Sequence, residues 1–144
     1  MGKVNATLDV PAPQDEVWGV ISDPGRYDEW LTIHTKWKDG TPDGFVEGAQ
    51  VAQVVTMLGM ANTITWTVEQ LDAPSRLRIS GMGMAGVRST FTLGVDPLGD
   101  GGSRVGIDAE FEGQMIVGAL GAAVEKDAKE QLERSLEGFA TLVG

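Results

Sequence analysis

Between Lys3 and Phe111, apolar and polar residues alternate over a series of short runs; beyond Gln114 the apolar spacing changes to threes and fours. The first run, Lys3–Val10, sets Val4, Ala6, Leu8 and Val10 between polar neighbours, the signature of a strand with one buried face. Pro11 and Pro13 close it. From about Pro13 to Ser22 the spacing is helical. Val17, Val20 and Ile21 form an apolar stripe with Trp18 beside it, and Asp15 and Glu16 suit the positive end of that helix. Asp23-Pro24-Gly25 breaks it. A short helical turn over Arg26–Leu31 and a brief strand over Thr32–Trp37 follow, before a loop marked by Gly40, Pro42, Asp43 and Gly44.

Five period-2 runs come next: Ala49–Leu58, Ala61–Leu71, Arg76–Gly81, Val87–Val95 and Arg104–Phe111. Short gaps rich in turn residues predict an antiparallel meander of hairpins. The final segment, Gln114–Leu142, reads as one long helix. Its apolar stripe is Val117, Leu120, Val124, Ala128, Leu132, Leu136, Phe139 and Val143. On its other face Glu125–Lys129 and Glu130–Arg134 are spaced for ion pairs one turn apart. A helix and a twisted sheet, each apolar on one side, bury those sides against each other. The expectation is one α+β domain over residues 1–144. In it a curved antiparallel sheet wraps a long C-terminal helix, two short helices follow the first strand, and a cavity remains where the helix does not fill the curve.

Composition narrows the function. The 144 residues include no cysteine, which excludes disulfides, thiolate metal sites and a cysteine nucleophile. Acids outnumber bases 21 to 11, a net charge of −10. That charge repels phosphate backbones and anionic membrane surfaces, and Lys36 with Lys38 makes only a small basic cluster. The N-terminal residues lack the apolar run of a signal peptide, and no stretch is apolar for long enough to span a bilayer. The expectation is a cytoplasmic protein that does not bind nucleic acid and has no integral membrane association.

Three local patterns carry a family resemblance. Val10-Pro11-Ala12-Pro13-Gln14-Asp15-Glu16-Val17-Trp18 resembles the opening of START-like and Bet v 1-like (SRPBCC) domains. Asp23, Tyr27 and Trp30 resemble the element after their first helix, and Ile64-Thr65-Trp66-Thr67-Val68 with Leu71-Asp72-Ala73-Pro74 resembles one of their hairpins. The likeness spans almost the whole chain and implies the helix-grip fold. Within that superfamily the chain resembles the polyketide cyclase/dehydrase branch. Trp30-Leu31-Thr32-Ile33-His34 and the segment from Gly59 to Thr67 are similar to a mycobacterial START-like toxin of a toxin–antitoxin pair. This implies homology and a shared fold, and carries no toxic mechanism with it.

Strand parity predicts the inward face: Ile64, Trp66 and Val68; Leu77 and Ile79; Val87, Ser89, Phe91, Leu93 and Val95; Val105, Ile107, Ala109 and Phe111. Its single polar group is a serine hydroxyl. Glu69, Arg76, Arg78, Arg88, Asp108 and Glu110 fall on the solvent parity. If Val51, Val55 and Met57 point inward, so does Gln53. Gln53 and Ser89 then either orient a ligand carbonyl or hydroxyl, or are a solvated glutamine and a small core serine. His34, the only histidine, is either an acid or base at the cavity mouth or a hydrogen-bonded structural residue. The cavity is expected to draw on Trp30, His34, Gln53, Ile64, Trp66, Val68, Ile79 and Val87, and on Ser89, Phe91, Leu93, Ile107, Ala109, Val117 and Leu120. Met82 and Met84 are candidates for an adaptable mouth. The uncharged stretch Met115–Val124, with Gly118 and Gly121, reads as a yielding gate or as a close helix–sheet contact.

No catalytic residue, metal site or cofactor is expected. Ser22, Ser80 and Ser103 lack a nucleophile-elbow setting, and the glycine-rich segments lack the lysine or the helix of a phosphate loop. The expected partner is a small apolar molecule such as a lipid, fatty acid or polyketide. One alternative is a cyclase or aromatase that folds such a chain. The other is an interaction module, including a toxin with an antitoxin-like protein partner.

Overall fold

The structure is a computed structural model and describes residues 2–83, 86–114 and 116–143. Its order is β1 (Gly2–Val10), α1 (Gln14–Ile21), a 3-10 turn (Pro24–Arg26), α2 (Tyr27–Trp30), β2 (His34–Trp37), β3 (Gln50–Met57), β4 (Met60–Asp72), β5 (Arg76–Met82), β6 (Arg88–Pro97), β7 (Ser103–Glu112) and α3 (Gly118–Ala140). The seven strands form one antiparallel sheet in the order β1-β7-β6-β5-β4-β3-β2. It is the curled sheet and long C-terminal helix of the helix-grip fold, with the short helices after the first strand.

Local chemistry explains the boundaries. Pro13 stands at the N-cap of α1, one position ahead of the helix it was expected to begin. The Asp23 carboxylate accepts a hydrogen bond from the Gly25 amide at 2.9 Å and so caps the 3-10 turn. Tyr27 and Trp30 are buried beneath it, and the Tyr27 hydroxyl donates to the Ile21 carbonyl at 2.9 Å. These contacts pin the α1–α2 segment to the core.

The C-terminal helix corrects the sequence reading. It begins at Gly118, not Gln114. Val117 is extended (φ −143°, ψ 160°), and Gly118 takes φ +58°, a left-handed conformation that glycine adopts without strain. Val117 therefore falls off the stripe and is 62% exposed, while Ile116 turns inward in its place. Leu120 is also substantially exposed, whereas Ala128, Leu132, Leu136 and Phe139 are buried. The expected ion partner of Glu125 is used elsewhere: the Lys129 ammonium donates to the Asn5 carbonyl of β1. Gly121 permits a close approach of another kind from that expected, since a Cβ there would lie 3.2 Å from the Ile116 carbonyl carbon. Met115 of the proposed gate lies outside the described residues.

The sheet separates its two faces. The inward parity carries the apolar core, from Ile64, Trp66 and Val68 to Val105, Ile107 and Ala109. The outer face carries the charges: Glu69 meets Arg78 at 3.1 Å and Arg88 at 3.4 Å, and Ser80 donates to the same carboxylate. Arg76–Asp96 and Arg104–Asp9 are further outer pairs at 3.1 and 2.8 Å. Among the described residues no helix is long and apolar enough to cross a membrane.

Candidate apolar cavity

One cross-strand row creates a gap in the core. Trp66 pairs with Gly81, Gly81 with Ser89, and Ser89 with Phe111. Gly81 can hold no side chain, because a Cβ would lie 2.3 Å from the Thr65 carbonyl oxygen. Ser89 holds only a small one. Two large aromatics thus flank two of the smallest residues, and the space between them stays open. The next row, Val68–Ile79–Phe91–Ala109, is bulkier.

The result is a cavity of about 160 Å³. Trp66, Ser89, Phe91 and Phe111 form one wall, and Ile116, Leu120 and Val124 form the helix side. Ile33, Val55, Met57, Leu58, Met60, Asn62, Ile64 and Val87 complete it. Leu58, Met60 and Leu120 are at least a third exposed and so stand at its rim. The rim includes the tip of the β3–β4 hairpin, where Leu58 has φ +52° and Gly59 φ +73°. The Leu58 amide donates to the Asp127 carboxylate of α3 at 3.1 Å, which ties this tip to the helix. Among the described residues Asn62 and Ser89 are the polar side chains of the lining, and no titratable side chain belongs to it.

Of the residues expected to line a cavity, Ile64, Trp66, Val87, Ser89, Phe91 and Leu120 are brought together here. Val68, Ile79, Leu93, Ile107 and Ala109 face inward as expected but are packed into the core away from the cavity, their rows being full. Val117 is displaced to the surface by the late helix start. Trp30 packs edge-on to Phe139 at 5.3 Å, and its indole N–H has no hydrogen-bond partner among the described residues. Met82 is half exposed and does not line the cavity; Met84 lies outside the described residues. The rim residues Leu58 and Met60 were missed. The available signal was a pair of apolar side chains flanking Gly59 in a hairpin turn, a place that ordinarily carries polar residues.

Gln53 and His34 occupy a second position, behind the wall. Gln53 does face inward, and it is 2% exposed. Its amide oxygen accepts from the Trp66 indole N–H at 2.8 Å, and its amide nitrogen contacts His34 Nδ1 at 2.7 Å. His34 is half-buried and opens onto a separate groove of about 230 Å³ lined by Pro24, Gly25, Asp28, Lys36, Trp37 and Thr41 among others. Burial holds its imidazole below the usual histidine range, opposed by the nearby Asp28 carboxylate. Among the described residues no three histidine, cysteine or acidic side chains are grouped to hold a metal.

Comparison with known proteins places this architecture. The whole chain, residues 1–144, matches the family model described as polyketide cyclase / dehydrase and lipid transport. An uncharacterized protein of Mycobacterium tuberculosis is 36% identical over 144 residues, covering all of both chains. A second protein of that organism, named a toxin, is 34% identical over 142 residues, 99% of this chain and 98% of its own. Among solved structures, a START superfamily protein from Mycobacterium smegmatis superposes with a TM-score of 0.75 at 20% identity, covering 99% of this chain and 97% of that one. A protein from Chromobacterium violaceum gives the same TM-score at 17% identity, covering 99% and 98%. A cavity between a curled sheet and a C-terminal helix, full-length identity above a third and a full-length family match agree: the chain has the fold of that START superfamily structure, and it belongs to the polyketide cyclase / dehydrase and lipid transport family.

Proposed function

We propose that the chain is a binding or carrier protein for a small apolar molecule held between the Trp66–Phe111 row and the first turns of α3. The observation that carries this reading is the lining: thirteen apolar side chains, Ser89 and Asn62, with no charge. Such a surface favours apolar ligands and leaves one or two polar groups to set orientation. Volume limits what is enclosed. A dry cavity of about 150 Å³ accommodates a molecule the size of benzene. The buried part of a ligand is therefore about one ring or a short alkyl segment, and a longer lipid or polyketide extends past Leu58, Met60 and Leu120.

The family description supports a second reading, a cyclase. General acid–base catalysis needs a titratable group within reach of the substrate, and the described residues of the lining supply none. A cyclase of this build would act by folding its substrate against the walls. Its mark is turnover that falls when Ser89, Gln53 or His34 is replaced. The name of the toxin-like relative belongs to that relative; a protein partner for this chain would be sought with the empty and the filled protein separately.

The test uses a neutral naphthalene-class fluorophore. It is expected to bind the native protein and to perturb Trp66 emission. Ser89→Arg should abolish binding, because the side chain fills the space and buries an unpaired charge. Arg88→Ser, on the outer face, should bind as the parent does. A folded parent that takes up no apolar probe, or a folded Ser89→Arg variant that binds normally, overturns the reading.

A further inference from the structure

The Trp66–Gln53–His34 chain has only one consistent arrangement of protons. An indole N–H can only donate, so the Gln53 oxygen must face Trp66. The Gln53 NH2 therefore faces His34, and Nδ1 must accept. His34 is thereby fixed as the neutral tautomer with its proton on Nε2, and the residue lines the groove. No choice of tautomer or amide orientation satisfies all three groups in any other way.

Protonating His34 destroys this arrangement. Nδ1 then carries a proton, and two donors confront each other across 2.7 Å. Turning the Gln53 amide over satisfies His34 but presents NH2 to the indole N–H, so the conflict moves to Trp66. One amide cannot accept from both ends. Gln53 and Trp66 are 2% and 1% exposed, so water cannot readily supply the missing acceptor. The indole must find another acceptor or shift, and its ring is a wall of the cavity, set edge-on to Phe91 at 5.5 Å.

We propose that His34 is a proton-operated switch on the apolar cavity: the neutral imidazole locks the Trp66 wall through Gln53, and protonation at Nδ1 unlocks it and weakens ligand binding. The effect on binding rests on the carrier reading; the switch itself does not. The groups facing His34 set its midpoint. Asp28 from α2 and Lys36 from β2 line the same groove, and the Asp28 carboxylate favours the imidazolium. The Tyr27 ring stands perpendicular at 6.3 Å, its phenol held neutral by burial and pushed above its usual range. From β3 only the uncharged Gln53 makes a hydrogen bond to the ring. The depressed imidazole basicity agrees with a fold that prefers the neutral form. By reciprocity, a ligand that needs the locked wall lowers the His34 pKa further.

The test is an NMR titration of the ligand-free protein between about pH 5 and pH 8. At the upper end the His34 nitrogen shifts should report the Nε2–H tautomer. On acidification the Trp66 indole N–H resonance, assigned in the parent through its backbone connectivity, should move with the same midpoint as His34. In His34→Gln, whose side-chain oxygen still accepts from Gln53, the indole should stay still. With the neutral fluorophore, the dissociation constant should rise roughly fivefold or more as His34 charges, and be flat in His34→Gln. An indole resonance that ignores the His34 titration, or a proton on Nδ1 at neutral pH, overturns the proposal. An indole that tracks His34 while no probe binds at any pH supports the switch and refutes the carrier reading. The parent titration requires no variant to fold.

Discussion

Gly81 shows how much one residue can decide. Its neighbours leave 2.3 Å to the Thr65 oxygen and 2.8 Å to the Ile64 side chain for any added Cβ. Gly81→Ala must part β4 from β5 or push Ile64 into the cavity, and an overpacking cost of about 1–3 kcal/mol in urea unfolding is expected. An unchanged midpoint would mean the strands separate freely there. His34 makes a second residue-scale prediction. Its pKa is lowered on folding by burial, so its contribution to stability is present above the ordinary histidine value of about 6.5 and is lost as pH falls. Melting temperature should therefore drop from about pH 7 to about pH 5, and His34→Gln should remove that part of the drop. Parity alone put Ser89, Trp66 and Phe91 on the inner face, because a strand has only two. It could not choose between a hydrogen-bonded and a catalytic His34: the partner, Gln53, comes from another strand, and its direction followed only once the register of β3 was known.

At the scale of elements, α3 is two helices in function. Its later turns bury Leu132 and Leu136, and its first turns stand over the cavity with Leu120 more than a third exposed. Leu132→Ala should cost about 2–5 kcal/mol of stability, as large-to-small changes in full cores do. Leu120→Ala should cost much less and chiefly alter probe affinity. Equal losses from the two, read by denaturant melts, would deny the division. The strands were legible to within two residues because alternation and turn residues agree. The start of α3 was not. Val117 fits the helical spacing by position, and periodicity carries no information about the left-handed backbone of Gly118 that ends the stripe. The rim was hidden for a related reason, since a hairpin tip that touches a helix is a tertiary fact.

The whole molecule carries ten more negative than positive charges, while its outer-face ion pairs are all substantially exposed. Such pairs are worth at most about 1 kcal/mol each. Net self-repulsion should dominate, so moderate salt should raise the melting temperature; a fall would show the pairs to matter more. Sheet order was mostly legible, since each of β2 to β7 pairs with its sequence neighbour. The exception is β1, which crosses to β7, a pairing between distant segments that local alternation does not encode. The two edges left by this order have a consequence for concentrated solutions. α3 lies along β1, with Lys129 on the Asn5 carbonyl, and β2 is four residues long with an irregular register after His34. Neither edge offers a long flat template to a strand from another copy. Crowded molecules are left to meet through side chains, and the exposed apolar ones at the cavity rim are Leu58, Met60 and Leu120. On the carrier reading, neighbour and ligand then contend for the same doorway, and the empty protein should scatter more light than the loaded one at equal concentration.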